Sequence, residues 1–331
     1  MSLSENKIRP PKLIELAEKC VKQDLKIFKN KKFIKINCPT CNSKKFKIYL
    51  TKNKFQFQKC NNCSMVFQNP RPSPETLELY YKNATSLALW DKIFKKTKRE
   101  RKEKIFKPRV ELIFDILKKY KIKKCKKLVE VGSGYGWLLE VAKEMKLSDE
   151  LITIEPFPLY ANACRKISGV KVIELTIEEQ MKKTTKLNAD LLVNFEVMSL
   201  LSEPKSFLKY CYDGLRKDGI FIGSSVNSNG LDVSLLREKG DSFAPNFLNL
   251  FNPKSISKLM KLSGFKKVEV ITPGLMDVDI MINKIKSKKI SDTDFPFFKL
   301  ISDSSLDFRQ DFQQLIQKHK MSSHMVFFGQ K

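Results

Sequence analysis

The run Leu128-Val-Glu-Val-Gly-Ser-Gly-Tyr-Gly-Trp137 sets the tightest limit on what this chain can fold into. A short apolar stretch leads into three glycines at alternate positions, and a helical pattern follows. Glycine lets a backbone turn sharply and approach a ligand closely, so the run predicts strand, Gly-rich turn and helix. The alternation then repeats. Strands are expected over Lys127–Val131, Leu151–Glu155, Val170–Glu174, Ala189–Glu196 and Gly219–Val226, each followed by a helical segment as far as Arg216. A helix over Pro253–Ser263, a strand over Lys266–Thr272 and a terminal strand over Met325–Gln330 complete the series. Near-continuous apolar strands alternating with helices predict an α/β fold with a parallel sheet covered on both faces.

The glycine spacing narrows the ligand. A dinucleotide fingerprint needs its third glycine where Trp137 stands; here it is Gly136, after Gly132 and Gly134. The acid Glu130 stands two residues before the first glycine, which suits a cofactor carrying a cationic sulfonium and an ammonium. Glu155 closes the second strand, 21 residues after Gly134, the position from which a carboxylate accepts hydrogen bonds from ribose hydroxyls.

Four of the eight cysteines fall within 26 residues: Cys38 and Cys41, then Cys60 and Cys63 after eighteen intervening positions. Two Cys-x2-Cys pairs at that distance match a four-thiolate zinc site, whose ligand positions are all filled by protein and whose Zn2+ is therefore structural. Between the pairs, Phe46, Ile48, Leu50, Phe55 and Phe57 alternate at period two around Thr51–Lys54, which predicts a β-hairpin. Lys12–Asn30 is expected as one basic amphipathic helix, and Pro70, Pro72 and Pro74 as a stiff linker. The domains expected are an N-terminal basic helix (1–35), a zinc-binding module (36–70), a helical linker (71–125) and the α/β domain (126–331).

The net charge is +27, with 63 Lys and Arg against 36 Asp and Glu, and only nine of the basic residues are Arg. The densest cluster, Lys92–Lys127, is interleaved with Ile93, Phe94, Ile105, Phe106, Val110, Ile113 and Phe114 at helical spacing, so its lysines are expected on solvated helix faces. A surface for polyanions is the competing reading. No apolar run reaches the length of a membrane span, and the polar Met1–Lys12 lacks a secretory pattern, so a cytoplasmic location is expected.

Glu130-Val-Gly-Ser-Gly-Tyr-Gly136 resembles the first motif of class I S-adenosylmethionine (SAM)-dependent methyltransferases, and Ile154-Glu155-Pro156 their ribose-binding segment. Asp190–Val197 resembles their fourth strand and Leu215–Ile222 the passage into their fifth. The resemblance implies a Rossmann-like, doubly wound, seven-stranded sheet whose last strand runs antiparallel. It further implies SAM over Gly132, Gly134 and Gly136, its adenine near Thr176 and Ile177, and its methionine side near Asn194 and Phe195. Cys60–Cys63 through Pro72, Phe247–Phe251, Thr272–Asp279 and Ser322–Met325 look like a bacterial subfamily with an N-terminal zinc module, associated with surface-polysaccharide modification. That likeness implies O- or C-methylation of a sugar, a nucleotide-sugar or a similar polar small molecule. Many relatives read Glu-Val-x-Glu-His after the fourth strand, where this chain has Glu196-Val-Met-Ser-Leu200. The base they place there is absent. Candidates at the carboxyl edge of the sheet are His324, which competes with a structural role, and Glu196. Asp277 and Asp279 could bind sugar hydroxyls or a basic substrate, or simply begin a helix. The spacing of Phe243, Phe247 and Phe251 is that of core residues. An RNA methyltransferase and a non-catalytic SAM-binding scaffold are the alternative functions.

Overall fold

The computed structural model describes residues 4–183 and 186–331. Met1–Leu3 of the expected N-terminal segment and residues 184–185 of the expected α/β domain lie outside the described residues. The strands among them are β1 (Phe33–Ile34), β2 (Phe46–Lys52), β3 (Phe55–Cys60), β4 (Val66–Gln68), β5 (Arg71–Pro72), β6 (Cys125–Val131), β7 (Ser148–Ile154), β8 (Val170–Ile173), β9 (Ala189–Phe195), β10 (Leu215–Val226), β11 (Asn249–Leu250), β12 (Lys266–Ile271) and β13 (His324–Gln330). The chain divides into two compact units. One comprises the residues up to Thr97 with Val226–Ser255 and Ile271–Met325; the other comprises Lys98–Ser225, Ile256–Val270 and Val326–Lys331.

The second unit is built on a seven-stranded sheet of order β12-β13-β10-β9-β6-β7-β8. The five strands from β6 to β10 pair in parallel, with Leu128 opposite both Leu151 and Leu191 and Ile222 opposite Val193. Leu128, Leu191, Leu192, Val193 and Ile222 are all fully buried, as strands covered on both faces require. The last strand runs the other way. The Lys331 amide donates to the Gly219 carbonyl, and Phe327 packs over Gly223, so residue numbers fall on β13 as they rise on β10. The beginning of β13 therefore lies at the edge where the parallel strands end. The Rossmann-like α/β fold with its antiparallel last strand is the one expected from the sequence.

The first unit contains a four-stranded sheet of order β11-β4-β3-β2 and the short antiparallel pair of β1 with β5. The expected hairpin is β2 and β3, with Lys52 opposite Phe55 and Phe46 opposite Cys60. Phe28, Phe55, Phe57, Tyr80, Phe243 and Leu250 form its aromatic core, and Phe243 and Phe251 are buried as their spacing suggested.

Two local expectations need correction. The helix expected over Lys12–Asn30 runs only from Pro11 to Asp24 and passes into a 3-10 turn over Leu25–Phe28. Asp24 is needed elsewhere: its carboxylate accepts the Thr85 and Ser86 amides at 2.8 and 2.9 Å. This caps the helix Thr85–Lys96, whose own N-cap residue, Ala84, has no side-chain acceptor. The Pro70–Pro74 stretch is not a linker. Arg71 and Pro72 pair with Ile34 and Phe33, Ser73 caps the next helix by accepting the Thr76 amide, and Pro74 occupies its first turn.

Candidate active site

Strand β6 delivers the chain into the glycine loop, and all three glycines adopt left-handed backbone, with φ of +75° at Gly132, +54° at Gly134 and +72° at Gly136. Their surroundings differ. A Cβ on Gly132 would stand 2.5 Å from Val197 Cγ2, and one on Gly136 within 2.9 Å of Ile167 Cδ1 and Cys164 Sγ. These two need glycine for packing as well as for φ. A Cβ on Gly134 would meet no heavy atom within 4 Å. The middle glycine thus faces open space at the edge where the parallel strands end, the edge at which ligands bind in such sheets.

Glu155 braces this loop. It is 3% exposed, and its Oε2 accepts the Gly134 amide at 2.9 Å while Oε1 accepts the Phe157 amide at 3.2 Å. Burial pushes its carboxyl up to about 7, against the pull of those two amides. Glu130, also 3% exposed, lies opposite Thr153 in the β6–β7 ladder, so its side chain shares a face with that of Glu155 two residues further on. Burial pushes Glu130 up to about 8, with Arg109 opposing the rise and Glu155 adding to it.

Asn194 is fully buried at the end of β9 and donates from Nδ2 to the Val131 carbonyl at 3.1 Å. Its Oδ1, like Oε2 of Glu130, is buried and accepts no hydrogen bond among the described residues. Buried polar atoms are normally paired. Two orphaned acceptors at the ends of adjacent central strands call for a ligand that brings donors.

Phe195 and Glu196 follow. The Arg109 guanidinium lies 4.9 Å from the Phe195 ring centroid and 5.5 Å from that of Phe106, and reaches Glu196 Oε1 at 3.5 Å. Glu196 has a left-handed φ of +63°, uncommon for a residue other than glycine. Its amide donates to Ser224 Oγ at 3.1 Å, and that hydroxyl donates to Glu196 Oε1 at 2.7 Å. Ser199, which stands where relatives carry an acid, is buried and hydrogen-bonded to Ser225 at 2.9 Å. Thr176 and Ile177 open the helix after β8. Thr176 is its N-cap in a reciprocal capping box with Glu179, and Ile177 is buried.

Three features beside these residues are not legible in the sequence motifs: Arg109, Ser224 and the stacking of Tyr135 on Trp137 at 5.0 Å. Arg109 lies 21 positions before Glu130 on the helix Lys107–Lys119, outside any motif. An arginine among so many lysines was the only available signal.

In the other unit, Asp277 does begin a helix, Asp277–Lys286. Its carboxylate is nearly buried and engaged within the chain. Oδ2 accepts from Gln313 at 2.8 Å and Ser322 at 2.6 Å, and Oδ1 accepts the Ser323 amide at 2.5 Å. Asp279 is half-buried, and burial raises its carboxyl. His324 is partly exposed at the start of β13, its backbone close to Gly274.

The four cysteines Cys38, Cys41, Cys60 and Cys63 converge, with all sulfurs within 4.8 Å of one another. The shortest separations are 3.5 Å (Cys38–Cys63), 3.6 Å (Cys41–Cys60) and 3.7 Å (Cys41–Cys63). A zinc tetrahedron with sulfur at about 2.3 Å has an edge of about 3.8 Å, so the cluster fits a four-thiolate metal closely. Each knuckle closes alike: the Asn42 amide donates to the Cys38 carbonyl and the Ser64 amide to the Cys60 carbonyl, with Asn42 and Ser64 both left-handed. Asn252 braces the second knuckle through the Ser64 carbonyl at 2.8 Å.

A family model described as a methyltransferase domain matches residues 98–270, just over half of the chain. The chain belongs to this family. It is a SAM-dependent methyltransferase of class I architecture. No curated protein matches the sequence. Among solved structures it is similar to a SAM-dependent methyltransferase from Archaeoglobus fulgidus, at 17% identity over 67% of this chain and 94% of that one, with a TM-score of 0.43. A possible histamine N-methyltransferase from Thermotoga maritima is also 17% identical, over 72% and 97%, at 0.42. A phosphoethanolamine N-methyltransferase from Haemonchus contortus is 14% identical, over 66% of this chain and 51% of that one, at 0.44. No helix among the described residues of this methyltransferase is long and apolar enough to cross a membrane.

Proposed function

We propose that this methyltransferase transfers a methyl group to oxygen or carbon of a sugar, nucleotide-sugar or similar polar small molecule. The observation that carries the cofactor half of this proposal is the pair of orphaned buried acceptors, Glu130 Oε2 and Asn194 Oδ1, beside a glycine loop open at Gly134. SAM, when bound, supplies a methyl carbon activated by its sulfonium. The backbone of Gly132–Gly136 would pass beneath the cofactor, and Glu155 would take its ribose hydroxyls. Thr176 and Ile177 would border the adenine and Phe195 the methionine side. Glu130 and Asn194 would accept from the ammonium group. Burial outweighs the pull of Arg109, so Glu130 holds its proton at neutral pH; a second cation entering the pocket favours its ionised form.

Glu196 is our candidate for the acceptor side. Its carboxylate ends the central strand on a strained backbone, aimed by Ser224 and Arg109, and backbone strain of this kind concentrates at functional sites. A sugar hydroxyl must lose a proton as it attacks, and Ser199 and Leu200 offer no base in its place. His324 is the second candidate. The sugar-like acceptor rests on the likeness of the terminal segments to polysaccharide-associated relatives. If an acid of Asp277-Val-Asp279 recognises it, that acid is Asp279, because the oxygens of Asp277 are occupied. For the zinc module we propose a structural Zn2+ on Cys38, Cys41, Cys60 and Cys63, whose bonds would fold the two knuckles and supply no catalysis.

The test is incubation with SAM and a panel of nucleotide-sugars, followed by mass detection of a methylated acceptor. The expected result is a methylated sugar with the native protein, lost in Glu196→Gln while binding of S-adenosylhomocysteine (SAH) is kept. Methylation of RNA or peptide alone would overturn the sugar assignment.

A further inference from the structure

The 49 residues from Leu25 to Ser73, which hold both zinc knuckles, contain eleven lysines, one arginine and no aspartate or glutamate. An even spread of the chain's 36 acids over 331 residues would put about five there. A coding bias towards lysine raises the basic count everywhere, but it does not delete acids from one stretch. The contrast with Lys92–Lys127 is direct. There acids are interspersed and several lysines pair with carboxylates: Lys95 with Asp91 at 2.9 Å, Lys102 with Glu140 and Glu144 at 3.2 and 3.1 Å, and Lys119 with Glu269 at 2.5 Å.

In the acid-free stretch, Lys26, Lys29, Lys31, Lys32, Lys35, Lys44, Lys45, Lys47 and Lys54 are all exposed. None of the nine makes an ion pair among the described residues; Glu75, beyond the end of the stretch, feels the charge of Lys32. Lys47 stands directly opposite Lys59 in the β2–β3 ladder, a like-charge pairing that destabilises a sheet. The four-thiolate zinc site proposed above would carry a net charge of −2, which offsets only part of the eleven lysines and one arginine; the excess suits a polyanion that lies outside the fold.

We propose that this acid-free zinc module binds the sugar-phosphate backbone of a nucleic acid without reading its bases. Lysine is a point charge suited to phosphate, whereas base readout relies on the arginine fork. The only arginine of the stretch, Arg71, is buried on Asn249. Between the lysines lie Asn30, Asn37, Ser43, Thr51, Asn53 and Asn61, side chains of the kind that contact phosphate and sugar. A lipid surface fits less well. Insertion needs a continuous apolar face, and the exposed large apolar side chains here are only Phe33 and Ile48, so a membrane could hold the stretch by charge alone. This inference is independent of the methyl acceptor.

The experiment is fluorescence anisotropy of a labelled single-stranded oligonucleotide with the full chain between roughly 50 and 200 mM salt, the range over which phosphate contacts weaken steeply. The protein should bind at low salt. Lys44→Gln/Lys45→Gln/Lys47→Gln should reduce the slope of log K against log salt by about 2, since each phosphate contact contributes about 0.7. Lys92→Gln/Lys96→Gln/Lys118→Gln should leave the slope unchanged. Zinc content and SAH binding report whether each variant is folded; if the first is not, Lys29→Gln/Lys31→Gln/Lys35→Gln replaces it with the same expectation. Three results would overturn the proposal: no binding at low salt, equal losses in the two triple variants, or capture by phosphatidylglycerol vesicles without oligonucleotide binding. Failure to bind SAH would bear on the methyltransferase account and not on this one.

Discussion

Gly134→Ala separates ligand binding from folding at the glycine loop. The new methyl would meet no protein atom within 4 Å, so the cost to the fold is confined to the left-handed backbone at φ +54°. For an L-residue that is about 1–2 kcal/mol, partly offset by roughly 0.4–1 kcal/mol because alanine restricts the unfolded chain. The net loss should be about 1 kcal/mol, a few degrees or less in Tm for a chain of this size. Gly132→Ala pays the same backbone cost and drives a methyl to 2.5 Å from Val197 Cγ2, inside a packed wall. Its loss should be about 3 kcal/mol or more, because overpacking adds to the strain. Binding should invert this order of interest. If the space above Gly134 is where the cofactor lies, its methyl competes with the ligand, and SAH affinity should fall at least about tenfold, or roughly 1.4 kcal/mol. Denaturant melts and a calorimetric titration on the same samples measure both quantities. An alanine variant at 134 that melts normally and binds SAH as tightly as the native protein would refute the cradle.

Three further outcomes follow from the same geometry. In the unliganded protein, unfolded Glu130 and Glu155 release their protons near the ordinary 4.5, whereas the folded forms hold them to about 8 and about 7. The native state therefore binds more protons across that window, and stability should fall as pH rises from about 5 to 8, by up to about 4–5 kcal/mol for Glu130 alone; Glu130→Gln should flatten the curve of denaturant midpoint against pH. Cys60→Ser should lose the metal from the purified protein, read by elemental analysis, and open the Leu25–Ser73 stretch to limited proteolysis. Arg109→Met removes the charge that stacks on Phe195 and opposes the rise of Glu130. It should push that carboxyl higher still, moving the alkaline limb of the apo stability profile upward in pH while leaving zinc content unchanged.

What could be read from the sequence was what the chain writes locally. Strand and helix periods, glycines that must turn, and cysteines in knuckle spacing each depend on residues within a few positions of one another, and they located the sheet, the glycine loop and the cysteine cluster. The antiparallel last strand came from resemblance, because no local pattern states a strand's direction. What remained hidden depends on distant partners. The orphaned acceptors of Glu130 and Asn194 appear only once β6 and β9 are side by side. Arg109 reaches Glu196 across 87 positions, and the Asp24 side chain, at the end of its own helix, caps one that begins 61 residues later. The proline stretch misled for the same reason. Its residues suit a linker by composition, yet Phe33 and Ile34 give them a strand to pair with. The first unit gathers three separated segments, an assembly that linear domain boundaries do not express.

The most direct test is a calorimetric titration of the zinc-loaded protein with SAH at two pH values, alongside Glu155→Gln. Micromolar binding that strengthens as pH rises towards 8 and weakens in the variant is the predicted result, because Glu130 must release its proton to solvent before it accepts from the ammonium group of SAH, and Glu155 must accept from the ribose. A folded, zinc-loaded protein that binds no SAH at either pH would contradict the account at its centre.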